Sequence, residues 1–130
     1  MTSRKIKILG GFMALGGLAT LASGAALADA HKAAMTAAEH AGFAAKATDI
    51  ATVHRHLHHV LNCLVGEKGE GFDAAAGNPC ANAGAAIPET TDKKMMMKLE
   101  GAAKEARMGL ADQDLAKAQK EAMEVQTKLK

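Results

Sequence analysis

The sequence predicts an all-α protein, a small up-and-down bundle of three or four helices with one disulfide-tied loop. Three observations carry this. Apolar residues recur at offsets of 0, 3, 7, 10 and 14 in two separate stretches, the stripe of a packed helix, and no strand-like alternation competes. Tyr and Trp are absent, so the core must be built from Ala, Leu, Val, Ile and Met. A Gly- and Pro-rich stretch, 66–88, lacks any sustained period and separates the helical parts.

The chain opens with Arg4, Lys5 and Lys7 and then runs from Ile8 to Leu27 in apolar and small residues, ending on Ala26-Leu27-Ala28. A basic start, an apolar run and an A-x-A close read as a secretory signal, residues 1–28, with cleavage expected after Ala28. A retained single-span helix is the competing reading, because the run nearly reaches membrane-spanning length. The domain proper is then 29–130. Ala-rich residues from Ala30 to Ala47 predict a first helix with Gly42 as its weak point, and Thr48 or Asp49 can cap a second. In that second helix Ile50, Val53, Leu57, Val60, Leu61 and Leu64 form the inward stripe.

The 66–88 loop is long for a compact domain, which usually means function or mobility. Cys63 and Cys80 bracket much of it, and in an exported chain two such cysteines are expected to pair. Closing a loop of about 18 residues stabilises a fold by about 3 kcal/mol on the chain-entropy argument. The alternative is a thiolate metal site, since His56, His59 and Cys63 share a helix face. Thr91 or Asp92 can cap a third helix with Met96, Leu99, Ala103, Ala106 and Leu110 inward, and Gly109 is expected to end it. Asp112 or Asp114 starts the last, with Leu115, Ala118, Ala122, Val125 and Leu129 inward.

Charge narrows the partners. Removing the signal takes three of the 16 basic side chains, leaving about 13 against 14 acidic ones, so the mature chain is nearly neutral. With no basic stripe and no interleaved aromatics, nucleic acid is not expected as a partner, nor is a membrane after signal cleavage. The mature chain is expected to be periplasmic or secreted.

The chemistry concentrates in residues 54–63, which hold His54, His56, His58 and His59 among the six histidines of the chain, together with Cys63. Neutral imidazole is the commonest protein metal ligand near neutral pH, so this density points to metal. His54 and His58 lie four residues apart on one helix face and are the preferred internal pair, and His40 joins them if the first and second helices run unbroken. His56 and His59 lie on another side, as a second weak site or as surface residues. Cleavage after Ala28 also creates a terminus Asp29-Ala30-His31-Lys32, in which the amine, two amide nitrogens and the His31 imidazole can surround a square-planar Cu(II) or Ni(II) ion. Release by acid is expected around pH 6, where unperturbed imidazoles protonate.

Other chemistries fit less well. Met95, Met96 and Met97 offer thioethers suited to Cu(I), but consecutive helical residues point about 100° apart and cannot share one ion. Noncovalent haem between His54 or His58 and Met96 or Met108 ranks below copper, because the chain has no C-x-x-C-H and few aromatics to line a haem pocket. A Cys63–His59 nucleophile is lost once the disulfide forms. No H-E-x-x-H is present, and Glu67, Glu70 and Asp73 lack the spacing of a calcium loop.

The four residues Asp29-Ala30-His31-Lys32 resemble the amino-terminal copper and nickel site of serum albumins; the resemblance covers those residues alone and implies no shared fold. The signal, Ala-rich helices, clustered histidines and missing aromatics look like the small histidine-rich metal-binding proteins of bacterial envelopes. That resemblance implies buffering or delivery of copper, or of nickel or zinc, without turnover. It assigns no role to the 66–88 loop. An envelope interaction module, binding another envelope protein through its helices, is the alternative from a different class.

Overall fold

The computed structural model describes residues 22–130, with side chains from Asp29 onward. Of the expected signal, residues 1–21 lie outside the described residues, and 22–28 are described only as backbone opening the first helix. Five helices follow: α1 (Ala22–Lys46), α2 (Ile50–Val65), the single turn α3 (Ala86–Glu89), α4 (Lys93–Ala111) and α5 (Leu115–Leu129). Among the described residues there is no strand, and no helix is long and apolar enough to cross a membrane.

The four long helices form an up-and-down bundle in which α1 packs on α2 and α5, and α4 packs on α5 and α2. Side-chain contacts fix the directions. Gln119 donates to the Ala47 carbonyl at the end of α1, while Gln126, about two turns later on α5, donates to Ala38, further back along α1. The helices therefore run antiparallel. Capping decides where α2, α4 and α5 begin. Asp49 accepts from Thr52 N at 2.8 Å, Asp92 from Met95 N at 2.6 Å and Asp114 from Lys117 N at 2.9 Å. Each cap satisfies an amide that has no helical partner, an effect of about 1 kcal/mol.

The break at 47–49 splits the first helix from the second, so the unbroken helix that would have put His40 beside His54 and His58 does not form. Instead α1 folds back on α2 along an alanine seam: Ala33, Ala34, Ala37, Ala41 and Ala44 are buried. Small side chains there let the two backbones approach closely, and larger residues of α2, Val53, Leu57, Val60, Leu61 and Leu64, fill the centre.

Two expectations about α4 change. Gly109 does not end it: the helix continues to Ala111, and a Cβ at 109 would stand 2.7 Å from Leu57 Cδ1 and 3.2 Å from Glu121 Cβ. The glycine is there because α2, α4 and α5 meet at that point, not because the helix stops. Methionine contributes less to the core than expected, since Met35, Met97, Met108 and Met123 are exposed, Met96 is only half-buried, and Met95 packs against the core while partly buried. Alanine and the branched aliphatics already fill the narrow interior.

The 66–88 segment carries a 3-10 turn, Ala74–Ala76, and the short α3. The Cys63–Cys80 disulfide ties it to α2, with a Cα–Cα distance of 5.1 Å and both residues buried.

Candidate metal centre

Folding α1 back on α2 places residues equally distant from the 47–49 break opposite one another. His40 on α1 therefore faces His56 and His59, which lie on one side of α2 by their three-residue spacing. His40 Nδ1 lies 3.0 Å from His56 Nδ1 and 3.3 Å from His59 Nδ1. One ring nitrogen from each of the three lies within 4.8 Å of the others. Nitrogens of a tetrahedral site with metal–nitrogen bonds of about 2.0–2.1 Å stand about 3.3 Å apart, so this arrangement needs little adjustment to hold an ion. These three histidines can bind a metal.

The tautomer of one ligand is set by the loop. His59 Nε2 lies 2.7 Å from the Ala76 carbonyl oxygen, which can only accept, so Nε2 carries the hydrogen. A neutral imidazole has one N–H, which leaves the His59 Nδ1 lone pair directed at the cluster. A backbone carbonyl accepting the other ring N–H is the usual companion of a metal-binding histidine.

Burial and neighbouring charge disfavour protonation of His40 and His56. His40 is held down from its ordinary 6.5 to about 4, chiefly by burial and then by the charges of His59 and His56. His56 is lowered by burial, His59 and the neighbouring Arg55. An ion held by His40 and His56 would therefore be released by acid at a lower pH than the roughly 6 expected of unperturbed imidazoles. Phe43 packs on the rim, its ring centroid 5.7 Å from that of His40 and 5.4 Å from that of His56, yet it is 52% exposed. It covers one flank without sealing the site.

The preferred pair of the sequence reading has other partners. His54 Nε2 lies 2.8 Å from the Asp112 carbonyl at the C-terminal end of α4 and donates to it. His58 Nδ1 stands 3.6 Å from Asp73 Oδ2, beyond hydrogen-bond reach, so their attraction requires a protonated imidazole. The structure thus brings His40 to His56 and His59 and leaves His54 and His58 outside the cluster. The clue lay in the mirror placement of His40 and His56 about the Asp49 cap, which only a hairpin reading converts into contact.

Asp29 and His31 are exposed on α1, and His31 lines a cavity of about 140 Å³ with Ala30, Ala34, Thr90, Asp92, Met95 and Leu99. A chelate through backbone amides requires cleavage after Ala28 and unwinding of that first turn, because the described residues there are helical. The larger of the two cavities, about 710 Å³, is lined by no histidine or methionine, and Met108 is exposed.

A second cluster, Glu105, Glu121 and Glu124, joins α4 to α5. Lys128 lies 3.4 Å from Glu105 and Lys120 3.5 Å from Glu124. Burial and the neighbouring Glu105 raise Glu121, while Glu105 is lowered by its contact with Glu121 and by Lys128.

No protein-family pattern matches this chain, and no similarity to a curated protein or a solved structure is found.

Proposed function

We propose that this chain is an exported, non-enzymatic metal-binding protein that buffers or carries copper or zinc on His40, His56 and His59. The observation that carries the proposal is the convergence of three Nδ1 atoms, two of them 3.0 and 3.3 Å from the third, with His59 already held in the binding tautomer. Imidazole suits both ions. Three neutral ligands leave a fourth position for water or an exchanging donor, which fits a carrier better than a closed structural site. The signal at 1–28 and the disulfide suit the same extracytoplasmic setting. His31 with a free Asp29 terminus would supply a separate Cu(II) site after processing.

The test is titration of the exported protein with Cu(II) and Zn(II) in competition with a chelator, repeated for His40→Gln, His56→Gln and His59→Gln. Loss of one bound equivalent in all three variants supports the site. Binding that survives all three, but disappears on changing His31, would transfer the function to the terminus. No binding of either ion by the parent protein would favour the envelope interaction module, for which exposed Phe43 and Met35 offer apolar contact.

A further inference from the structure

The 66–88 loop, which the resemblance leaves without a role, touches the histidine site at one atom, the Ala76 carbonyl on His59. Three residues of a single α2 stripe hold the loop in place. His59 donates to Ala76; Asn62, one turn on and wholly buried, donates to the Asp73 carbonyl at 2.7 Å and the Gly77 carbonyl at 2.7 Å. The Asn62 side-chain carbonyl in turn accepts from Asp73 N at 2.9 Å. Cys63 then bonds covalently to Cys80. Gly77, next to Ala76, has φ of +86°, a backbone state that favours glycine and turns the chain back over His59.

We propose that segment 73–80 is the outer shell of the metal site, with Asn62 as its positioning residue, and that disulfide formation completes a site the dithiol chain holds only weakly. This rests on the reading of His40, His56 and His59 as ligands. Without the Ala76 carbonyl, the His59 hydrogen is free to move to Nδ1, where it blocks the lone pair. The covalent step is thiol–disulfide exchange: the Cys63 and Cys80 thiols lose two electrons and two protons to an external disulfide, which leaves as two thiols, while the Cys63–Cys80 bond forms. Metal capture is thereby confined to the oxidising side of the membrane. Burial of both sulfurs then shields the finished bond.

The experiment compares Zn(II) affinity of the oxidised protein, of Cys63→Ala/Cys80→Ala, which has no competing thiols, and of Asn62→Ala with its disulfide intact. Helical content is checked by circular dichroism and the His59 tautomer by 15N NMR. The expected result is affinity reduced about 10- to 100-fold in both variants, with His59 losing its Nε2–H preference. Should the double variant fail to fold, Asn62→Ala alone decides. A folded variant that binds zinc as tightly as the parent, with the tautomer unchanged, overturns the proposal and leaves the site reading standing. A parent protein that binds no metal instead removes that reading, and the proposal with it.

Discussion

His54 and His58 occupy one side of α2, and His56 and His59 another, within six residues of one sequence. Their fates differ because of what packs against each side. The 56/59 side meets α1, where His40 completes a three-nitrogen cluster, and the loop carbonyl of Ala76. The 54/58 side meets the end of α4, whose Asp112 carbonyl takes the His54 hydrogen, and the carboxylate of Asp73. Chelating spacing along one helix is therefore necessary for a shared ion but does not select the pair. The neighbouring element selects it, by supplying either a third ligand or a competing hydrogen-bond acceptor.

The largest expected effect separates the two sides directly. His40→Gln should weaken Zn(II) or Cu(II) binding by about 100-fold or more, since a ligand contributes more than the 10- to 100-fold of an outer-shell partner. His54→Gln should leave binding within about twofold, because distant sites act independently. Equal losses in competition titrations would dissolve the distinction.

Acid comes next. The folded pKa of His40 lies near 4, below the 6.5 of the unfolded chain, so between those values the unfolded state binds more protons. Stability of the metal-free protein should be full above pH 6.5 and fall as pH drops towards 4. Urea midpoints measured in the presence of chelator check this, and His40→Gln should flatten that slope. An unchanged slope would show that His40 is not the group responsible.

Gly109→Ala then probes the other side of α2. Its new methyl would crowd Leu57, the residue between His56 and His58, and should cost about 1–3 kcal/mol of stability by overpacking. Metal affinity in the folded variant should stay within about twofold. A loss as large as that of His40→Gln would mean that the two sides are mechanically coupled.

The smallest effect is at the hairpin itself. Asp49→Ala removes the cap at Thr52 N and should cost about 1 kcal/mol, read from a denaturant midpoint. Restoration of the parent midpoint by Asp49→Ser would confirm capping as the cause.

Much of this protein follows from local rules. Periodicity along α2 and α5 marks the faces they bury, and Asp49, Asp92 and Asp114 cap where short polar residues precede apolar stripes. The pairing of Cys63 with Cys80 follows from the number of cysteines, since the chain has two and they pair with each other. Local rules misread Gly109 as a stop, because they see its lack of a side chain and not the Leu57 and Glu121 atoms that require it. They also gave methionine a larger part in the core than the partly buried Met95 takes, because alanine and the branched aliphatics already fill it.

The sequence by itself determined that the chain is helical, where α2, α4 and α5 start, that its loop is cross-linked and that its histidines cluster, since each depends on residues close along the chain. Only the tertiary structure decided which histidines meet. His40 reaches His56 and His59 across a hairpin, and Ala76 reaches His59 across a loop. Contacts between distant residues depend on helix direction and rotation, which packing sets.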